Sequence, residues 1–287
     1  MTAEPQYIRP GSLEAALAAR AEHPDFVVLC GGTDLLVAAN KQPAPPGIID
    51  IFGLGTLCGV GHESDGSIII GAATPYADII ENESCQRELP SLVAASCEIG
   101  ALQIQARGTV GGNIATSSPV GDSLPVLLAL DAEIHLASQR GRRVVRYAEF
   151  CTGYRQTVLG DDELIVAIRF PPRSPALLQE WRKVGPRKAQ SISKVMMAAV
   201  GRVERGRIAE VRIGLGAVAD RPIRAHATER AVLGQEPGDR TAEAARAALA
   251  SEITPIDDVR STARYRLRVT QNLVARFISD LRHRPAL

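Results

Sequence analysis

Apolar positions in this chain switch between helical and alternating spacing, and the switches divide it into three stretches. Ser12 precedes LEAALAARAEH (13–23), where Leu and Ala recur at helical spacing behind a capping hydroxyl, predicting a helix. FVVLC (26–30) predicts a strand that runs into Gly31 and Gly32. TDLLVAAN (33–40) then starts a second helix or makes a tight irregular turn, and IIDI (48–51) is a further short strand. Loop-forming residues around Gly59 mark a boundary there.

GSIIIGAATPYADII (66–80) predicts a strand and then a helix introduced by Thr74 and Pro75, and LPSLVAASCEI (89–99) predicts another helix. Residues 107–122, RGTVGGNIATSSPVGD, read as a loop. LPVLLALDAEIHLA (124–137) begins as a short buried helix and passes into a strand; RRVVRYAEF and DELIVAIRFPP complete this stretch, and Pro171 and Pro172 mark its end. Beyond it, KAQSISKVMMAAVGRVERGRIAEVRIGLGAV (188–218) contains two strand-like halves around the turn VERGR. TAEAARAALASEI and DDVRSTARYRLRVTQNLVARFISDLRH are helical by composition and spacing. The expected organisation is α+β throughout, with segments 1–59, 60–176 and 177–287.

At 287 residues such a division is reasonable. The 33 basic residues nearly cancel the 32 acidic ones, so nothing favours a polyanion such as DNA as partner. No apolar run reaches the roughly 18 residues that span a bilayer, and Met1–Pro10 has neither the basic nor the apolar part of a signal peptide; a cytoplasmic location is expected. The cysteines at 30, 58, 85, 97 and 151 form no C-x-x-C pair, and the five histidines are isolated from them, so no metal centre is expected within this chain.

Two glycine pairs carry the chemistry. In CGGTDLL (30–36) a hydrophobic strand delivers Gly31, Gly32 and a hydroxyl to one point. In RGTVGGNIATSSPVGD, Gly111 and Gly112 lack β-carbons beside Thr109, Asn113, Thr116, Ser117 and Ser118, a composition suited to a backbone nest for phosphate. Two such segments suit the two phosphates of a dinucleotide, while a plain tight turn explains each pair structurally. The G-x-G-x-x-G and G-x-x-x-x-G-K-[ST] patterns are absent.

LCGGTDLL, ALQIQARGTVGGNIATSSPVGDSLPVLLALDAEIHL and FCTGYRQTVLGDDELIVAIRFPP resemble the FAD-binding subunit of xanthine dehydrogenase and related molybdenum hydroxylases, including the medium subunits of carbon monoxide dehydrogenases. WRKVGPRKAQSISKV and STARYRLRVTQNLV extend the resemblance over almost the whole chain. It implies a vanillyl-alcohol-oxidase (PCMH-type) FAD-binding domain of two subdomains, followed by a C-terminal α+β domain like that of the carbon monoxide dehydrogenase flavoprotein. It implies that Cys30, Gly31, Gly32, Thr33 and Asp34 wrap the FAD pyrophosphate, with Leu29 and Leu35 lining. Thr109, Gly111, Gly112, Asn113 and Thr116 would approach phosphate, ribitol or isoalloxazine.

The same resemblance puts Ile165 and Ile99 against the ring, Ile99 standing where some xanthine dehydrogenases carry an aromatic residue. It puts Lys183 at the flavin edge, where a cation stabilises the reduced ring; the alternative is an ordinary exposed lysine. Asp122 would join the sugar network or else cap the helix starting SLPVLLAL, a role Ser123 can also fill. Trp181 would shield the flavin or pack a domain seam, and Arg140, Arg142, Arg143 and Arg146 would touch another subunit or decorate a solvated hairpin. FAD is expected to be non-covalent, because no histidine or cysteine stands at an attachment position, and no catalytic side chain is required. Implied partners are a small [2Fe-2S] subunit and a large molybdopterin subunit, in a dimer of heterotrimers, with NAD+ as electron acceptor. A quinone, oxygen or another acceptor, with an aldehyde, an N-heterocycle or carbon monoxide as substrate, is the alternative, and a flavin-less scaffold is a third reading.

Overall fold

The computed structural model describes residues 5–38, 43–187 and 190–283. The end of the TDLLVAAN segment, and Lys188 and Ala189 of the WRKVGPRKAQSISKV segment, lie outside these.

The first sheet is parallel. Gly47–Asp50 lies at its centre, between Gln6–Ile8 and Val27–Leu29. Parallel strands need crossover connections; Leu13–Glu22 carries the chain from Gln6–Ile8 to Val27–Leu29 on the far side of Gly47–Asp50, with the Ser12 hydroxyl accepting from the Ala15 N–H at 3.2 Å.

The second sheet is antiparallel, in the order Val60–His62, Ile68–Gly71, Leu164–Phe170, Glu133–Ser138, Gly141–Arg146. Alternation along its central strands sends Ile134, Leu136 and Ile168 into a core roofed by Leu92, Val110, Leu124 and Leu127 from three short helices. Ala137, Leu164 and Val166 face the other way, onto Leu13, Ala16 and Ile49 of the first sheet's layer. A bulge between Ile165 and Ala167 resets the alternation, so that Ile165 and Ile168, three residues apart, both join the second lobe's core while Leu164 and Val166 pack on the first. The arginine-rich segment forms the edge hairpin, where the solvent-exposed Arg143 holds the buried Glu163 at 2.6 Å.

The third sheet, Leu178–Val184, Val195–Glu204, Arg207–Gly216 and Ile223–Arg224, is also antiparallel. Val195–Val200 is buried on both faces. Val195, Met197 and Ala199 meet the helices Asp239–Leu249 and Ala263–Asp280, whereas Ala198 and Val200 join the core of the second lobe. Gly214 makes that junction tight, because a β-carbon there would overlap the Pro125 carbonyl oxygen.

Two local expectations need correction. Residues 107–122 are not simply a loop: Val110–Thr116 is a helix whose cap, Thr109, accepts from the Gly112 N–H at 3.2 Å. The strand Leu178–Val184 was not expected at all. Its sequence, LQEWRKV, is largely polar, and it gains its place by a seven-residue register with Val195–Gly201.

Candidate functional site

A cavity of about 800 Å³ opens where the glycine turn of the first lobe, the Val110–Thr116 helix of the second and the Ile256–Arg266 region of the third converge. That volume lies in the range of cofactor sites. Its lining includes the apolar Val27, Leu159 and Leu164, and Ala217, Ala219 and Ile256 contributed by the C-terminal part of the chain.

The first glycine segment is shaped by two different demands. Gly31 packs so tightly on the backbone of Arg107 and Gly108 that a β-carbon would overlap the Arg107 carbonyl, while Gly32 adopts φ +75°, the left-handed region that glycine enters without strain. Its carbonyl receives the Leu36 N–H at 3.0 Å, starting the short helix Leu35–Ala38. Among the described residues, the N–H groups of Gly32, Thr33 and Asp34 have no protein acceptor. Three successive unpaired donors beside a cavity make a nest for an anion. Leu29, Cys30 and Leu35 line the same wall. Burial raises the Cys30 pKa, so this thiol stays protonated and is a poor nucleophile. The Asp34 carboxylate accepts from Thr116 Oγ1 at 3.4 Å and lies 3.9 Å from Arg155, an arrangement that gives its charge partners.

The second segment works otherwise than its composition suggested. At its glycine pair the donors are spent inside the protein: the Val110 N–H goes to Thr74, that of Gly111 to Ala72 at 2.9 Å, that of Gly112 to Thr109 Oγ1 and that of Asn113 to the Thr109 carbonyl. Residues 110–113 therefore form no backbone nest. The two glycines also differ, because a β-carbon on Gly111 would lie 2.6 Å from the Ala72 oxygen, whereas one on Gly112 would meet only Thr109 Oγ1, at 3.0 Å. Gly111 packs helix on strand; Gly112 keeps the cavity wall thin. Thr109, Asn113 and Thr116 line the cavity, as do Ile99 and Ile165.

Asp122 lines the cavity but is not a helix cap. Ser123 holds the cap position of Leu124–Ala129, and its hydroxyl is turned to Asn113 rather than to the helix N–H groups. Lys183 Nζ donates to one Asp122 oxygen at 2.8 Å and Ser193 Oγ to the other at 2.9 Å; the Trp181 indole N–H donates to the Asp122 carbonyl at 3.1 Å. Burial raises the Asp122 pKa by more than Lys183 and Ser193 lower it. Lys183 is neither an exposed lysine nor part of the cavity lining: its side chain is 3% exposed and its charge is met by Asp122. Trp181 packs the seam between the second and third lobes.

Several participants had no signal of their own in the sequence. Arg266 donates to the Lys194 and Ala217 carbonyls and to Asp258, tying the Asp258–Arg260 turn to the third sheet beside the cavity. Burial alone would raise the Asp258 carboxyl, but hydrogen bonds from the Arg260 N–H, Arg266 and the Ser261 N–H bring it down to about 2. Arg266 lay inside the resembling STARYRLRVTQNLV, yet only the fold shows what it holds.

These features define a site for a long ligand with an anionic middle. The unpaired donors of Gly32–Asp34 suit a pyrophosphate, the apolar walls at Ile99 and Ile165 suit a flat ring, and the open face of Gly112 admits close approach. The residues present therefore fit FAD. Residues 3–173 match the family described as "FAD binding domain in molybdopterin dehydrogenase", and residues 181–281 that described as "CO dehydrogenase flavoprotein C-terminal domain". The chain belongs to the FAD-binding medium, or flavoprotein, subunits of the xanthine-dehydrogenase and CO-dehydrogenase-like molybdenum hydroxylases, with their PCMH-type FAD-binding fold and C-terminal α+β domain.

It is 33% identical over 276 residues to the xanthine dehydrogenase FAD-binding subunit of Escherichia coli O157:H7, covering 96% of this chain and 94% of that one. It is 29% identical to the nicotine 6-hydroxylase medium subunit of Paenarthrobacter nicotinovorans over 96% of each chain. Among solved structures, a chain of the carbon monoxide dehydrogenase from Hydrogenophaga pseudoflava that lacks the Mo-pyranopterin moiety superposes with a TM-score of 0.91, at 30% identity and 96% coverage of both chains. As a family member the chain is the FAD-binding oxidoreductase component of a molybdenum-hydroxylase-type complex.

Proposed function

We propose that this subunit takes electrons from [2Fe-2S] clusters on a small partner subunit and passes them to NAD+, within a xanthine-dehydrogenase-like enzyme whose large partner carries the molybdopterin cofactor. The observation that carries the reading is the row of donors at Gly32, Thr33 and Asp34, without a partner among the described residues, on a cavity of about 800 Å³. FAD, when bound non-covalently, supplies the redox chemistry, exchanging electrons singly or in pairs. The protein holds and orients it: Cys30, Gly31, Gly32, Thr33 and Asp34 surround the pyrophosphate, Leu29 and Leu35 line beside them, Thr109, Gly112, Asn113 and Thr116 contact the middle, and Gly111 fixes the helix that carries them. Ile99 and Ile165 pack on the ring. Asp122 joins the polar network, and Lys183 acts on it from behind through their ion pair.

The likeness to the xanthine dehydrogenase subunit supports NAD+ and xanthine-type substrates. A quinone, oxygen or another acceptor, with an aldehyde, an N-heterocycle or carbon monoxide as substrate, is the competing reading, favoured by the nicotine hydroxylase and carbon monoxide dehydrogenase relatives. We further propose segments 1–59, 60–176 and 177–287 as the structural units, a dimer of heterotrimers as the assembly, and the cytoplasm as its location. All five cysteines are free thiols, which suits a reducing compartment. No helix among the described residues is long and apolar enough to cross a membrane.

The test is purification of the native complex. Flavin should leave the protein on acid precipitation, and xanthine or a related N-heterocycle should reduce NAD+ anaerobically through the complete complex. Flavin retained after denaturation would overturn non-covalent binding. Turnover with a quinone or oxygen, and none with NAD+, would overturn the acceptor.

A further inference from the structure

Asn113 lines the cavity with one half of its amide already committed. Its Oδ1 accepts from the Ser123 hydroxyl at 2.9 Å, and that hydroxyl lies 3.0 Å from the Tyr76 phenol, with both Tyr76 and Ser123 buried. Among the described residues, the Asn113 Nδ2 group has no protein partner. An amide can be turned over, exchanging its oxygen and nitrogen, so the network decides which half faces the cavity.

If Nδ2 pointed at Ser123, it would donate to Oγ, and the serine proton would have to go to the Tyr76 oxygen. The phenol proton would then have no acceptor among the described residues, on a side chain that is only 2% exposed. An unmade buried hydrogen bond is expensive. Burial also raises the Tyr76 pKa, so the phenol keeps its proton and cannot escape the requirement by ionising. In the opposite sense every group is satisfied: Tyr76 donates to Ser123, and Ser123 donates to Asn113 Oδ1.

We propose that Tyr76 and Ser123 are positioning residues that fix the polarity of Asn113, so that it presents two N–H donors to an acceptor-only oxygen of the flavin nucleotide, a phosphate oxygen or a ring carbonyl. This inference rests on the cavity being the flavin site. The relay spans residues 76, 113 and 123, none of which touches another in sequence; Tyr76 and Asn113 both border the cavity, and the buried Ser123 joins them. Asn113 would recognise acceptors and reject donors at that point, because Tyr76 allows it only one orientation.

A double-mutant cycle on the full chain tests this. Tyr76→Phe removes only the phenol oxygen and should weaken FAD roughly five- to tenfold, the equivalent of about one hydrogen bond. In an Asn113→Ala background the same change should shift FAD affinity less than about twofold, since there is no amide left to orient. Ser123→Ala should behave in the same way in both backgrounds. Equal losses with and without Asn113, or no loss at all, would overturn the relay. Repeating the cycle with ADP and with riboflavin identifies the acceptor: coupling with ADP supports the relay acting on phosphate, and coupling with riboflavin supports it acting on a ring carbonyl.

A second measurement needs no flavin. The chain has four asparagines, Asn40, Asn82, Asn113 and Asn272, so selective ¹⁵N labelling gives few side-chain amide pairs, and Asn113→Ala identifies the relevant one. Tyr76→Phe should move that pair in the flavin-free chain, and an unmoved pair would overturn the relay. Failure of the unaltered chain to bind FAD would instead sink the reading of the cavity, leaving the amide measurement to judge the relay by itself.

Discussion

Removing the Lys183 ammonium measures how the third lobe is fastened to the cavity wall. Lys183→Met keeps the length of the side chain and strips Asp122 of its counter-ion. Because the two side chains are only 3% and 13% exposed, water cannot fill the gap, and breaking such a pair from one side costs about 3–5 kcal/mol. The lower end applies here, since Ser193 still donates to the carboxylate and the group can take up a proton. Burial already raises this carboxyl, Lys183 being the main opposing influence, so its pKa climbs further in the variant. The sign of the pH effect follows. A carboxyl raised in the folded chain holds a proton that the unfolded chain has released, so stability falls as pH rises from the ordinary carboxylate value of about 4 through the raised one.

Thermal melting of the variant should therefore lie closest to the parent at or below about pH 4. At about pH 8 it should fall by roughly 6–12 °C, taking about 2–4 °C per kcal/mol for a chain of this size. Adding Asp122→Asn, whose amide needs no counter-ion, should recover most of the loss. A loss that is the same at both pH values, or that persists undiminished in the double variant, would refute the reasoning.

The glycine pair in the second lobe should separate by phenotype. Gly112→Val should leave melting nearly unchanged but weaken FAD at least tenfold, about 1.4 kcal/mol, measured by flavin fluorescence titration. Gly111→Val should fail by lowered melting or insoluble expression before any flavin effect is visible, because its β-carbon has no room beside Ala72. Thr109→Ala should cost about 1 kcal/mol in chemical denaturation through loss of the cap on Val110–Thr116. Trp181→Phe should cost about 1 kcal/mol from its lost bond to the Asp122 carbonyl, with flavin affinity within about twofold of the parent.

What could be read from the chain and what could not divide along the range of the interactions involved. The hairpin around VERGR and the helix behind Ser12 were legible because turn chemistry, cap and periodicity are local and agree. The Val110–Thr116 helix was hidden by its own glycines, which ordinarily disfavour helix. Here Gly111 is what allows the helix to sit on Ala72, so tertiary packing decides the conformation against local preference. The same distinction applies to the binding residues. Composition indicated two equivalent phosphate nests, but among the described residues hydrogen bonding leaves the donors open at Gly32–Asp34 and consumes those of Val110–Asn113, where the side chains are left to recognise ligand.

Lys183 and the Tyr76–Ser123 relay show the limit most clearly. Their partners lie 61, 47 and 10 residues away, and no spacing rule could have joined them. Lys183 acts from behind the wall by balancing the charge of Asp122, whereas Tyr76 borders the cavity and acts on Asn113 through Ser123. The two glycine segments of the cavity wall were readable from the sequence, whereas the C-terminal wall at Ala217, Ile256 and Arg266 and the groups that orient Asp122 and Asn113 became visible only once the chain had brought distant segments together.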